Sequence, residues 1–390
     1  MVLLGLVQAA FGQKEPSGGT VSGSVYCGDT NAPARLASVV LRPVAVQKHV
    51  AGEGPSAAVK VRSVQALLDG SFSIPQVAPG TYYVMASMPG YISPLAKLGI
   101  KPDALLNPGD DLRKSLLAEV PTVTVQGNLG ASVNISLERG AAVSGTILFD
   151  DGSPAPGVGV RLLTRKKDKW VPIETGSADG MGAGKDTDDH GYYRISGVPA
   201  AEECLVEVIL SASSSTSYFS ADAMSVSSDD QFSLHFYSGG AFRSSKAHPF
   251  SLKLGEDRPG EDIVLPLAKL HKVQGAVTAQ KDGHILNQAS VEVLFADDKS
   301  EMGKTVLNKD SAFSFAFVPE GDYLLRTNDA SDVRFDETPS PPGVIPPVRV
   351  SIKILHDYAP AEIPIHVDGD LLDLTLAVPD KPAPTIAPAH

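Results

Sequence analysis

Cysteine is nearly missing from this chain: Cys27 and Cys204 are the only two in 390 residues. The repeat described below puts them in different segments, so a disulfide within one domain is excluded. Neither sits in a metal-ligand spacing, and both read as free thiols. Tryptophan occurs once, as Trp170, and aromatic residues make up only 6% of the chain, which counts against a rich sugar-stacking surface. Basic residues are outnumbered, 33 Lys and Arg against 45 Asp and Glu. The resulting net charge of −12 repels phosphate backbones and disfavours a nucleic-acid partner. The one basic cluster is Lys166, Lys167 and Lys169, interrupted by Asp168. Beyond the first residues no segment reaches the ~18 uninterrupted apolar residues that cross a bilayer, so no membrane span is expected.

What is present is ordinary globular material, 43% apolar and 20% charged, in a chain long enough for two to four domains. Gly 36 and Pro 30 supply many turns, with Val, Ile and Thr in short runs between them, which is an all-β composition. Met1–Gln13 reads MVLLGLVQAAFGQ and ends on Ala10-Phe11-Gly12, a small-x-small pattern without a basic leading segment. A truncated export signal with its leader over residues 1–17 is the expectation, against the alternative of a frayed apolar terminus. It implies a secreted, periplasmic or cell-surface location.

Three segments carry the same ordered landmarks. First comes a strand with a central glycine: Val21-Ser22-Gly23-Ser24-Val25, Val143-Ser144-Gly145-Thr146-Ile147 and Val273-Gln274-Gly275-Ala276-Val277. A turn and a second strand follow, at Ser38–Leu41, Val158–Leu162 and Ala289–Val293. An acidic turn then feeds an aromatic strand, placing Phe72, Tyr193 and Phe313 at one position of the alternation as expected core aromatics. Next is a Val-Pro turn, whose Pro79, Pro199 and Pro319 recur every 120 residues, a domain-length period. Each copy closes on an apolar run: Val133–Leu137, Asp262–Leu267 and Leu372–Leu376. Domains are therefore expected at 18–138, 139–268 and 269–378. The joins Leu137–Ala142 and Leu267–Lys272 are short enough for an end-to-end, semi-rigid rod, and residues 379–390 form a Pro/Ala-rich spacer expected to be disordered.

A Gly-x-Val opening, then Asp-x-x-Gly-x-Tyr-x-Ile, then Val-Pro-(x)-Gly-x-Tyr resembles the carboxypeptidase regulatory-like domain family, relatives of transthyretin-like and collagen-adhesin B-type sandwiches. Thr187–Pro199 carries the resemblance best, and in all it covers nearly all of residues 20 to 378. It implies three tandem immunoglobulin-like (prealbumin-like) Greek-key β-sandwiches of two antiparallel sheets, found as accessories on secreted and surface proteins, some with a carbohydrate-binding-like fold. It brings over no catalytic residue. Collagen-adhesin relatives often crosslink a first-strand Lys to an Asn; Val21–Val25, Val143–Ile147 and Val273–Val277 contain no lysine.

Several local patterns invite chemistry. Gly180-Met181-Gly182-Ala183-Gly184-Lys185-Asp186 has glycines like a phosphate loop, but Asp186 stands where Ser or Thr would bind magnesium, and a flexible hairpin loop is the better reading. Asp186-Thr187-Asp188-Asp189-His190-Gly191 alternates carboxylates like a calcium loop without its distal Glu, and reads as an acidic β-turn. His190, His235, His248, His271 and His284 fall in no metal-site spacing, and no serine has a nucleophile-elbow context. The Ser-rich stretch Ser211 to Ser228 reads as a long variable loop, and the Asn134-Ile135-Ser136 sequon falls in a strand. Trp170, behind the turn at Lys166–Lys169, either packs on a sheet face or offers a stacking surface; it is the one candidate ligand-binding residue. No catalytic, metal or cofactor-binding residue is assigned, and no cofactor is expected. The reading is a non-enzymatic exported scaffold or interaction protein of the cell envelope with an unknown protein or polysaccharide partner; the alternative is a carbohydrate-binding protein.

Overall fold

The computed structural model describes residues 18–44, 61–105, 108–175, 185–211, 214–219, 224–229, 232–308, 310–339 and 348–381. The expected export signal and the Gly180–Gly184 run lie outside the described residues, as does the tail beyond residue 381. The first unit holds β1 (Gly19–Cys27), β2 (Ser38–Pro43), β3 (Arg62–Gln65), β4 (Ser71–Val77), β5 (Gly80–Ser87), α1 (Pro94–Leu98), α2 (Asp110–Glu119), β6 (Thr122–Val125) and β7 (Ala131–Leu137). The middle unit runs through β8 (Ala141–Phe149), β9 (Gly159–Lys166), β10 (Lys169–Pro172), β11 (Lys185–Asp186), β12 (Tyr192–Val198), β13 (Ala201–Ser211), β14 (Ser214–Phe219), β15 (Met224–Asp229), β16 (Ser233–Tyr237), β17 (Phe250–Leu252), β18 (Asp257–Arg258) and β19 (Ile263–Leu265). The third has β20 (Leu270–Ala279), β21 (Gln288–Phe295), β22 (Glu301–Val306), β23 (Ala312–Pro319), β24 (Gly321–Pro339), β25 (Val348–Asp357), β26 (Glu362–Val367) and β27 (Leu371–Val378).

Each unit packs a small sheet against a larger one. The small sheets are β4-β1-β7, β12-β8-β18 with β19 beside β8, and β23-β20-β27; the large ones are β3-β2-β5-β6, β10-β9-β13-β16 and β22-β21-β24-β25. The repeated glycine now has a physical cause. It sits on the central strand of the small sheet, directly opposite the repeated aromatic: Gly23 faces Phe72, Gly145 faces Tyr193 and Gly275 faces Phe313. On its other side the closing strand comes in close. A methyl group at Gly23 would stand 2.8 Å from the Val133 carbonyl carbon, at Gly145 2.5 Å from that of Glu261, and at Gly275 2.7 Å from that of Leu374. Only a residue without Cβ admits both neighbours, and the three aromatics bury to 4%, 1% and 0% exposure above it. The closing strands β7, β19 and β27 run parallel to β1, β8 and β20, so each small sheet is mixed rather than antiparallel as the family resemblance implied.

Three apolar cores follow, one centred on Val25, Phe72 and Val84, one on Ile147, Tyr193 and Val206, and one on Val277, Phe313 and Leu325. Cys27 and Cys204 are buried free thiols in the first two of them, and burial pushes the Cys204 thiol up to about 11. Helices were not expected. α1 is started by Ser93, whose Oγ accepts from the Ala96 N–H at 3.1 Å with Pro94 in the first turn, and stopped by left-handed Gly99. Leu95 and Leu116 of α1 and α2 pack with Val40, Tyr83 and Met85, covering the outer face of the first large sheet.

Adjacent units touch at both joins. Between the first two, the Gly140 N–H donates to Gly90 O at 3.0 Å, Arg139 lies 5.2 Å over the Tyr91 ring, and a methyl on Gly197 would meet Tyr91 O at 2.6 Å. Between the second and third, Phe232 enters the third core edge-on to Phe315 at 5.3 Å, seated where Gly303 has no side chain. Arg243 forks onto Asp297 at 2.8 and 3.0 Å, reaches Asp298 at 2.9 Å and stacks 4.0 Å over Phe295.

Two expectations are corrected. The Ser-rich stretch contains an antiparallel hairpin, β14 with β15, carried by its backbone ladder despite the low apolar content that hid the strands. Residues Pro379 and Asp380 are held in place: Ala359 N–H donates to Pro379 O at 2.8 Å, and His356 meets Asp380 at 3.0 Å.

Candidate functional site

The large sheets present one outward-facing cross-strand pair at the same position in every unit, and the three pairs differ. In the first unit it is Val40 with Met85, roofed by the helices. In the third it is Glu292 with Arg326, which also bonds Glu362 at 3.0 Å. In the middle unit it is Arg161 with Glu207, and this face is open.

Alternation along β9, β13 and β16 sends Val160, Leu162, Val206, Val208 and Phe236 into the middle core, and Leu234, like Phe232, into the third. Their neighbours Arg161, Glu207, His235 and Tyr237 are left on the outer face. The β9–β10 hairpin adds Trp170, because Lys167 and Asp168 both take positive φ (46° and 62°), the two-residue turn that matches strand twist. Trp170 is half-buried on β10, opposite Arg165, whose guanidinium lies 5.9 Å over the indole. Arg161, Glu207, Tyr237 and Trp170 line, with Pro172 and Ser244, a groove of about 420 Å³.

Glu207 is the buried centre of the groove, its side chain 3% exposed. Burial alone would raise its carboxyl; hydrogen bonds from His235, at 2.8 Å to Nδ1, and from the Arg161 Nε–H outweigh this and hold it below the ordinary carboxylate range. Tyr237 is pushed above its ordinary phenol value by burial first and by the Glu207 charge second. Glu207 is thus an ionised, doubly bonded anchor that orients Arg161.

Sequence reading singled out Trp170 and noted His235, but missed Arg161, Glu207 and Tyr237. The available signal was a charge inside an apolar run, Leu205-Val206-Glu207-Val208-Ile209 and Val160-Arg161-Leu162. The acidic stretch at Asp186–Gly191 is a turn: Asp188 Oδ1 accepts from the His190 and Tyr192 N–H groups at 3.0 and 2.8 Å. Asn134 of the sequon uses its side-chain oxygen to bond the Ser24 N–H across the small sheet at 3.2 Å. His284 stands elsewhere, on the third unit, between Asp282 at 2.5 Å and Asp332 at 3.0 Å, and Asp332 also accepts from Tyr358 OH at 2.8 Å. Among the described residues no group of His, Cys, Asp and Glu is arranged to hold a metal, and no helix is long and apolar enough to cross a membrane.

No protein-family model and no curated protein sequence matches the chain. Among solved structures it is similar to a Streptococcal ancillary pilin, at 11% identity and TM-score 0.27 over 94% of this chain and 99% of that one. It is similar to the Bacillus anthracis TIE protein at 12% identity and TM-score 0.20, spanning 93% of itself and about half, 51%, of that protein. A third is a putative carbohydrate binding protein from Pseudomonas aeruginosa, at 14% identity and TM-score 0.19 over 31% of this chain and 90% of that one. At these scores the likenesses carry nothing about function, and the β-sandwich assignment rests on the strands and cores described above.

Proposed function

We propose that the chain is an exported, non-enzymatic scaffold or interaction protein of the cell envelope, built as three sandwiches over 18–138, 139–268 and 269–378. The observation that carries this is the packing of both joins. Phe232 is shared with the third core, Arg243 is forked onto Asp297 and stacked on Phe295, and Gly197 lies against the Tyr91 backbone. Such joins suit a stiff series of units that holds its surfaces at fixed spacing. The apolar Met1–Gln13 run supports export. Small-angle scattering should give one elongated particle whose maximum dimension is unchanged by salt, and Phe232→Ala with Arg243→Ala should broaden the distance distribution. A compact or already broad distribution in the parent chain refutes the rod.

The groove beside Trp170 favours a second reading, carbohydrate binding, because it joins an indole to oriented polar side chains on an open sheet face. Affinity electrophoresis of residues 13–390 against a polysaccharide panel, with Trp170→Ala alongside, tests it. Retardation lost in the variant supports the reading; no retardation by any polymer leaves the scaffold alone.

A further inference from the structure

We propose that this groove takes an acidic polysaccharide, with a carboxylate-bearing sugar ring seated between Trp170 and Arg161. The inference rests on the carbohydrate-binding reading and narrows it to anionic glycans. The chain as a whole carries −12, so an anion is repelled by most of its surface. The β9–β10 hairpin is the exception. Among the described residues Lys167 and Lys169 have no ion-pair partner, Lys166 is turned toward Gly99 of the first unit, and the Arg161 Nη groups have no protein acceptor once Nε is committed to Glu207. The nearby acids are offset in part: Glu207 is buried between Arg161 and His235, while the exposed Asp168 and Glu203 share Arg165 at 3.7 and 3.6 Å.

Burial of Glu207 also fixes which edge of the guanidinium faces out, leaving a planar pair of donors with the geometry of a carboxylate. The apolar walls, Trp170 and Pro172, match the C–H face of a pyranose ring. An acidic peptide fits less well. The groove lies over the sheet face, on Arg161, Leu163, Glu207 and Tyr237, rather than along the β10 edge, so an extended peptide seated in it finds no backbone ladder to join.

Because Trp170 is the only tryptophan, its fluorescence reports occupancy of this groove alone. The full chain is titrated with polygalacturonate, with its fully methyl-esterified neutral form and with poly-glutamate, at low and at 0.3 M salt, and binding is read in parallel by affinity electrophoresis. Polygalacturonate should shift the emission and bind at least fivefold more weakly at the higher salt. Arg161→Lys, which keeps a cation against Glu207, should weaken it about tenfold by losing the paired donors, and exposed Lys169→Ala a few fold. Trp170→Ala should abolish retardation. Equal binding of the esterified polymer overturns the anionic inference and leaves the carbohydrate reading standing. Poly-glutamate binding as tightly overturns the inference in favour of an acidic protein partner. Failure of all three polymers removes both.

Discussion

Replacing Gly275 by alanine isolates the packing that explains the repeated glycine. In an ordinary strand the change stabilises by ~0.5–1 kcal/mol, because alanine gives up less backbone entropy on folding. Here the new methyl would lie 2.7 Å from the Leu374 carbonyl carbon and 2.8 Å from its Cβ, and closer still to the carbonyl oxygen. Restoring van der Waals contact requires β27 to retreat from β20 by roughly 1 Å, against Leu376 and Val378, both fully buried in the third core. Overpacking of this kind costs about 1–3 kcal/mol and each weakened ladder hydrogen bond about 1 more, so a loss of about 2–4 kcal/mol is expected. A three-unit chain does not unfold in one step, so the assay is native-state hydrogen exchange read on peptides from each unit. Amides of β20 and β27 should lose protection about 30-fold or more while the first unit is unchanged. Gly369→Ala, with no atom within 4 Å of its new methyl, is the control and should change nothing measurable. Protection of β20 and β27 within threefold of the parent would refute the close-approach account.

Phe232→Ala should empty a fully packed site at the second join and cost about 3–5 kcal/mol, lowering protection in the third unit, which calorimetry reads as a separate earlier transition. His284 meets a carboxylate at each ring nitrogen, and only the imidazolium can donate to both, so hydrogen bonds first to Asp282 and then to Asp332 raise its pKa above the ordinary value. The tie it makes to β24 is therefore fully present below the ordinary histidine pKa and lost as pH rises through the raised one. Titration of the ring by NMR should show the upward shift, and Asp282→Asn should reduce it; a midpoint at or below the ordinary value contradicts the geometry. Cys27 and Cys204 should resist maleimide in the native chain and react after unfolding, since both are buried and the Cys204 thiol is pushed up to about 11. Native labelling of either would be evidence against the first or middle core as described.

Much of the β-sandwich plan was legible because it is written in local, short-period signals. The alternation around Gly23, Gly145 and Gly275 marked strands, Asp69-Gly70 and Asp188–Gly191 marked turns, and Phe72, Tyr193 and Phe313 were legible as core residues from their place in the alternation. The helical roof over Val40 and Met85 had a local signal too, Ser93-Pro94 to Gly99, but its two helices are short and α2 buries only Leu116. Its brief apolar pattern does not stand out against loop sequence.

The groove was another matter. Trp170 was visible as a lone aromatic, yet its neighbours come from β9, β13 and β16, with Arg161 and Glu207 separated by 46 residues and Glu207 and His235 by 28. Whether two such residues meet depends on strand register, and a slip of one residue would turn Glu207 into the core and Val206 to the surface. The parallel approach of each closing strand is likewise a relation between segments about a hundred residues apart, as from Gly23 to Val133. The strands of the repeated landmarks and their apolar faces could be read from side-chain alternation within a few residues, whereas the polar β14–β15 hairpin and the two short helices could not. The tertiary structure alone decided which outward-facing charges converge, because that is set by long-range pairing that no local pattern encodes.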